Sequence, residues 1–170
     1  MAILFSRYVI EDEIEYVGRK ITSQTLQIPS KTPPVFICVL NGGFMFYSDL
    51  MKSIETEVIC DFIKVKSYEG AGIQREVKLI GDISVDIADK VVYIVDDIYD
   101  SGHTVDFLIK HLMQKKPKEL KLITMLKRAS TPPASIRHEY LFKVGSEWVY
   151  GRGMNESDGT GRNLLDIYKI

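Results

Sequence analysis

Three aspartates and a hydroxyl-rich turn hold the densest chemistry in this chain: Asp96, Asp97 and Asp100, then Ser101-Gly102-His103-Thr104. Ionised carboxylates only accept hydrogen bonds, so they suit the hydroxyls of a sugar. Small hydroxyl residues and a glycine at a helix N-terminus offer free backbone N–H groups and the positive end of the helix dipole, which suits a phosphate. Side by side, the two features point to a phosphorylated sugar, with its hydroxyls on Asp96 and Asp97 and its phosphate on residues 101–104. Asp100 is left over for proton transfer. A solvated turn with an Asp/Ser helix cap would use the same letters and hold no ligand.

The flanking residues position that turn. Val91 to Val95 is a continuous apolar run, as expected of a parallel strand buried on both faces. From Thr104 the period changes, and Val105, Leu108, Ile109 and Leu112 form a helical stripe. The turn therefore sits at the carboxyl end of a strand, where open α/β sheets bind ligands. A second apolar strand, Val35–Leu40, runs into Asn41-Gly42-Gly43 and a short helical pattern through Met51. Glycines there allow a ligand close to the main chain. Residues 10–26 predict a helix, with Glu11, Asp12 and Glu13 suited to its N-terminus and a stripe of Ile14, Val17, Ile21 and Leu26. Residues 57–80 predict a hairpin whose tip lies between Glu69 and Glu76. After Pro117, Leu120–Leu126 closes a β-α-β crossover and leaves Lys127 and Arg128 at its carboxyl end. Thr131-Pro-Pro marks a turn, and Tyr140–Phe142 is a short apolar piece.

The 170 residues, 45% apolar and 26% charged, suit one globular domain. A net charge of −1 gives no electrostatic footprint for nucleic acid or an anionic membrane. No apolar run approaches membrane-spanning length, and no signal peptide is evident, so a cytoplasmic protein is expected. Cys38 and Cys60 lie in apolar strand-like runs and are expected to be buried free thiols.

Val-Asp-Asp-Ile-Tyr-Asp-Ser-Gly-His-Thr resembles the phosphoribosyl-pyrophosphate (PRPP) signature of type I phosphoribosyltransferases. The resemblance runs from the first helix to Arg162, and its details are those of the purine-salvage branch. It implies that Asp96 and Asp97 bind the ribose and that Asp100, Ser101, Gly102, His103 and Thr104 bind the 5′-phosphate. Asn41-Gly42-Gly43 resembles the branch's pyrophosphate loop, with Asn41 in place of the usual lysine, so backbone donors would carry that contact. Ser67-Tyr68 is similar to its catalytic lid, Lys127 to the lysine that binds the purine 6-oxygen, and Trp148 and Val149 to the stacking aromatic and the residue that reads the base edge. In the tail, Arg162 would grip pyrophosphate, and Asn155 stands where a magnesium-binding aspartate is expected. One extra residue separates it from Arg162, which leaves the tail ligand open among Asn155, Glu156 and Asp158 beside Asp96 and Asp97.

The resemblance implies an α/β fold, a twisted and mostly parallel sheet with helices on both faces. A small hood would come from the N-terminal segment and roughly residues 135–170 of this single domain. It implies Mg²⁺ dependence, PRPP and a purine base as substrates, no nucleic-acid or membrane partner, and a homodimer or homotetramer. The expected reaction is phosphoribosyl transfer to N9 of hypoxanthine or guanine, with Asp100 acting at N7. The alternatives are a xanthine-guanine enzyme and a catalytically impaired PRPP-binding regulator.

Overall fold

The computed structural model describes residues 2–27, 32–69 and 75–170. Its centre is a six-stranded sheet in the order β4-β3-β2-β5-β6-β7. Strands β2 (Val35–Leu40), β3 (Ile59–Glu69), β5 (Val91–Tyr99), β6 (Glu119–Arg128) and β7 (Arg137–Val144) run parallel. Only the edge strand β4 (Arg75–Gly81) is antiparallel, paired with β3 as a hairpin. The middle of the expected hairpin tip lies outside the described residues.

Alternation along the strands assigns each face its helices. Phe36 and Cys38 of β2, with Tyr93 and Val95 of β5, join the core under α1 (Arg7–Leu26) and α2 (Phe44–Ser53). Val35, Ile37 and Val39, with Val92 and Ile94, join the core under α3 (His103–Met113). Helix α3 buries Val105, Leu108 and Leu112, three of the four expected stripe residues, and Ile109 packs against the same core part-buried. Each fully buried side chain of this size contributes about 1.5–3 kcal/mol of transfer free energy.

Three expectations are corrected. Helix α1 starts at Arg7, so Glu11, Asp12 and Glu13 lie beyond its first turn. The cap comes from the far end of the chain, where Asp166 accepts the Arg7 N–H at 2.7 Å. Leu26 is exposed, and Ile10 takes its place in the stripe. Cys38 is a buried free thiol, but Cys60 is exposed. Cys60 is paired with Phe36 and so sits on the α1/α2 face, beside Tyr47 of α2 but still open to solvent.

Separately, β1 (Ala2–Phe5), β8 (Val149–Tyr150) and β9 (Ile167–Lys169) form a small antiparallel sheet in the order β1-β9-β8. This sheet joins the two ends of the chain and orients Trp148, Val149 and the tail over the carboxyl ends of β2 and β5.

Candidate active site

A cavity of about 230 Å³ opens at the carboxyl ends of the central strands, walled by Gly42, Ser67, Asp96, Asp97 and residues 100–104. Gly102 caps α3 at φ +86°, a left-handed conformation that favours glycine. The Asp106 N–H already bonds the Gly102 carbonyl, while the turn before it faces the cavity. Ser67 Oγ lies 3.5 Å from Thr104 Oγ1, which brings the expected lid strand against the expected phosphate turn. The Tyr68 side chain is outside the described part of the chain. Gly42 lines the cavity but Asn41 is exposed beside it, and the Leu40–Asn41 peptide is cis.

The acid pair is held by its own backbone. Asp96 Oδ1 accepts the Asp97 N–H at 2.9 Å, and Asp97 Oδ1 accepts the Ile98 N–H at 2.7 Å. Burial, reinforced by the neighbouring Asp97, pushes the Asp96 carboxyl well above the usual carboxylate range. Burial raises Asp97 as well, against the pull of its hydrogen bonds and of the Arg162 guanidinium. The same environment keeps Cys38 a thiol, pushed up to about 12 by burial and by the two acids.

A second cavity of about 160 Å³ adjoins the first and shares Asp97, Ile98 and Asp100 with it. Trp148, Val149, Met154, Asn155 and Arg128 complete its wall. Trp148 is 52% exposed, an open aromatic face rather than core filling. The structure therefore brings Asp100, Trp148 and Val149 together as expected. Lys127 is not among them. Its ammonium donates to the carbonyls of Thr131 at 2.7 Å and Arg128 at 3.2 Å, and lines a different cavity with His138 and Tyr140. Burial and the nearby Lys127 bring His138 down to about 4. The cation that faces the shared wall is Arg128, which the sequence places at the end of the strand without assigning it a role. Its Nε donates to Asp100 Oδ1 at 2.8 Å.

In the tail, Arg162 is anchored rather than loose. Its guanidinium donates to the Gly153 carbonyl at 2.5 Å and to Asn155 Oδ1 at 2.6 Å. The Asn155 amide in turn donates to the Glu156 carbonyl at 2.6 Å. Asn155 Oδ1 is thus committed to Arg162, and Asp158 accepts from Thr160 in an exposed turn. Among the described residues no group of three His, Cys, Asp or Glu side chains forms a metal cage. Magnesium needs only one or two protein carboxylates when substrate phosphates and water supply the rest. The donors present fit that partial role: Asp96 and Asp97, which line the cavity beside the 101–104 turn.

The phosphoribosyl transferase domain family matches residues 7–152. The hypoxanthine-guanine phosphoribosyltransferase of Bacillus subtilis is 31% identical over 158 residues, covering 92% of this chain and 86% of that protein. The bifunctional TilS/HprT protein of Listeria innocua is 32% identical over 158 residues, of which the chain spans 24% of the length. The Trypanosoma cruzi hypoxanthine phosphoribosyltransferase, solved in complex with the product IMP, superposes with a TM-score of 0.86. It is 30% identical, and the match covers 99% of this chain and 92% of that one.

Proposed function

This chain belongs to the phosphoribosyl transferase family, and we propose that it transfers the 5-phosphoribosyl group of PRPP to N9 of a 6-oxopurine, hypoxanthine or guanine, releasing pyrophosphate. One observation carries the reading: a cavity walled by paired acids and a hydroxyl-rich turn and one walled by an aromatic meet at Asp97, Ile98 and Asp100. A glycosidic bond forms where a sugar and a base meet. The relatives named above carry the same activity in their names.

In this mechanism the 5′-phosphate lies against the α3 N-terminus and residues 101–104, and the ribose hydroxyls bond Asp96 and Asp97. Trp148 and Ile98 flank the base. Asp100 accepts the proton at N7, which makes N9 the nucleophile as C1′ loses pyrophosphate and develops positive charge. Arg162, with the backbone of the 41–43 loop, stabilises the departing pyrophosphate. Asp96 and Asp97 would hold Mg²⁺, which when bound would supply further charge neutralisation to the leaving group. Ser67 and the lid strand exclude water from the reactive sugar. The Lys127 ammonium, held by two backbone carbonyls outside the base cavity, takes no part; the backbone of Val149, on the wall of that cavity, reads the base edge and disfavours adenine. Assembly as a homodimer or homotetramer and a cytoplasmic location belong to the same proposal. Among the described residues no helix is long and apolar enough to cross a membrane.

The test is nucleotide formation from PRPP, Mg²⁺ and each of hypoxanthine, guanine, xanthine and adenine. Turnover of a 6-oxopurine with adenine refused is expected, slowed roughly 100-fold or more in Asp100→Asn. Failure with every base while PRPP still binds would leave a PRPP-binding regulator as the reading.

A further inference from the structure

The geometry points to Arg128 as a positioning residue that fixes the proton-accepting acid and the stacking aromatic at a set separation, with the purine between them. The inference rests on the base site assigned above. The same guanidinium that holds Asp100 through Nε reaches the opposite wall of the base cavity with its other arm. There Nη1 donates to the carbonyls of Gly145 and Glu147, both at 2.7 Å. Glu147 immediately precedes Trp148, so the ring hangs from the segment that Arg128 holds.

Surrounding bonds stiffen both ends of the clamp. Glu147 Oε1 accepts the Gly145 N–H at 3.1 Å, closing the loop on itself. The Ala129 N–H donates to the Val144 carbonyl at 2.9 Å, tying the ends of β6 and β7 beside it. On the acid side, the Thr131 hydroxyl donates to the Asp100 carbonyl, and Thr131 in turn accepts Lys127. Arg128 has a side-chain exposure of 13%, against 49% for Asp100, so the clamp is the sheltered partner and the acid stays open to a ligand. A planar fork can hold a carboxylate on one edge and carbonyls on the other, whereas a lysine ammonium has no such fixed fork. Removing Arg128 would free the Trp148 segment and the Asp100 carboxylate together, and leave residues 101–104 and Asp96 untouched.

Trp148 is the only tryptophan, so its emission reports on this site alone. The experiment titrates IMP into wild type, Arg128→Ala and Arg128→Lys while following Trp148 intensity and anisotropy, with KM for PRPP and for hypoxanthine measured on the same preparations. In Arg128→Ala the anisotropy of the free protein should fall, and the Kd for IMP and KM for hypoxanthine should rise about 10-fold or more. The KM for PRPP should change less than about 2-fold, because Asp100 alone is released from the wall of the sugar cavity while Asp96, Asp97 and residues 101–104 stay in place. Arg128→Lys keeps the charge beside Asp100 but loses the fork. It should fall between the two, and carries the test if Arg128→Ala does not fold. IMP affinity and anisotropy at wild-type values in both variants would overturn the clamp, as would equal losses toward PRPP and hypoxanthine, the mark of a general folding defect. A wild-type protein whose Trp148 ignores IMP would instead remove the base site itself, and the clamp with it.

Discussion

Gly42→Ala tests whether the loop after β2 and the acid pair act as one unit. A Cβ built on Gly42 would lie 2.6 Å from Asp97 Cγ and overlap its Oδ2, whereas ordinary contact begins at 3.4 Å. The carboxylate must therefore retreat by at least about 0.8 Å at Cγ and further at Oδ2, straining the 2.7 Å bond it accepts from the Ile98 N–H. Misplacement near 1 Å in a group that positions substrate costs about 100-fold in rate. Stability should hardly change. Losing that hydrogen bond costs about 0.5–1.5 kcal/mol, and replacing glycine by alanine where the backbone permits it gains about 0.4–1 kcal/mol. The expected result is a kcat/KM for PRPP lowered about 100-fold with a melting temperature within a few degrees of wild type. Steady-state kinetics at saturating base and thermal melting read both. The double variant with Asp97→Ala should lose no more than Asp97→Ala alone, since both act through one carboxylate. Wild-type kcat/KM in Gly42→Ala, or additive losses in the double variant, would refute the coupling.

Three further outcomes are expected. In Asp96→Asn, turnover falls while stability rises at neutral pH. The folded acid titrates above its ordinary 3.8, so the stability it lends is complete below that value and is lost as pH rises through its folded pKa. Melting should place the variant above wild type near pH 8 with the gap closing toward about pH 4; no gain near pH 8 would refute it. Leu108→Ala empties a fully buried position under α3 and should cost about 2–5 kcal/mol in chemical denaturation. A loss under about 1 kcal/mol would show that α3 is not clamped to the sheet as described. Asn155→Asp should raise the KM for pyrophosphate in the reverse reaction about 10-fold, because a carboxylate can still accept Arg162 but would repel the Glu156 carbonyl that the amide now donates to at 2.6 Å. An unchanged KM would separate Asn155 from the anchoring of Arg162.

What could be read from the sequence is what the chain places close together in one stretch. Strand β5, the acids, the turn and α3 are contiguous between Val91 and Met113, so local patterns encode both the element and its chemistry. The resemblance implied a hood from the N-terminal segment and residues 135–170, but local pattern did not reveal its sheet, whose strands are only two to four residues long and pair residues from opposite ends, such as Ala2 with Lys169. The start of α1 misled for a similar reason: three nearby acids outweighed a cap delivered by Asp166 from 159 positions away. Arg128 carried no recognisable signal, since two of its three hydrogen-bond partners are backbone carbonyls of a loop whose letters do not matter to it. The tail is the reverse case. Asn155 looked like a weakened metal ligand, yet its place demands one acceptor and one donor, which an amide supplies and a carboxylate does not.

The displacement of Lys127 has a single backbone cause, and that cause also builds the base cavity. Strict alternation from Val95 would turn Asp97 and Tyr99 toward the α1/α2 side and Ile98 toward α3. Instead Val95 and Ile98 both pack on the α1/α2 side, while Tyr99 joins the α3 core. Strand β6 slips in step: Met125 and Leu126 both reach the α1/α2 core, and the pairing stays aligned through Ile98 and Leu126. One residue later, Lys127 has been turned to the α3 side, where its ammonium lies 6.0 Å from the centre of the Tyr99 ring. A slip shared by two neighbouring strands costs little pairing, because neither loses register with the other. It aims Ile98 into the cavity walled by Trp148, opposite that ring as the proposed base site requires, and leaves Arg128 as the cation on that wall. The irregularity beside the acid pair is thus what lets one strand end wall two cavities, the ones proposed above for the sugar and for the base.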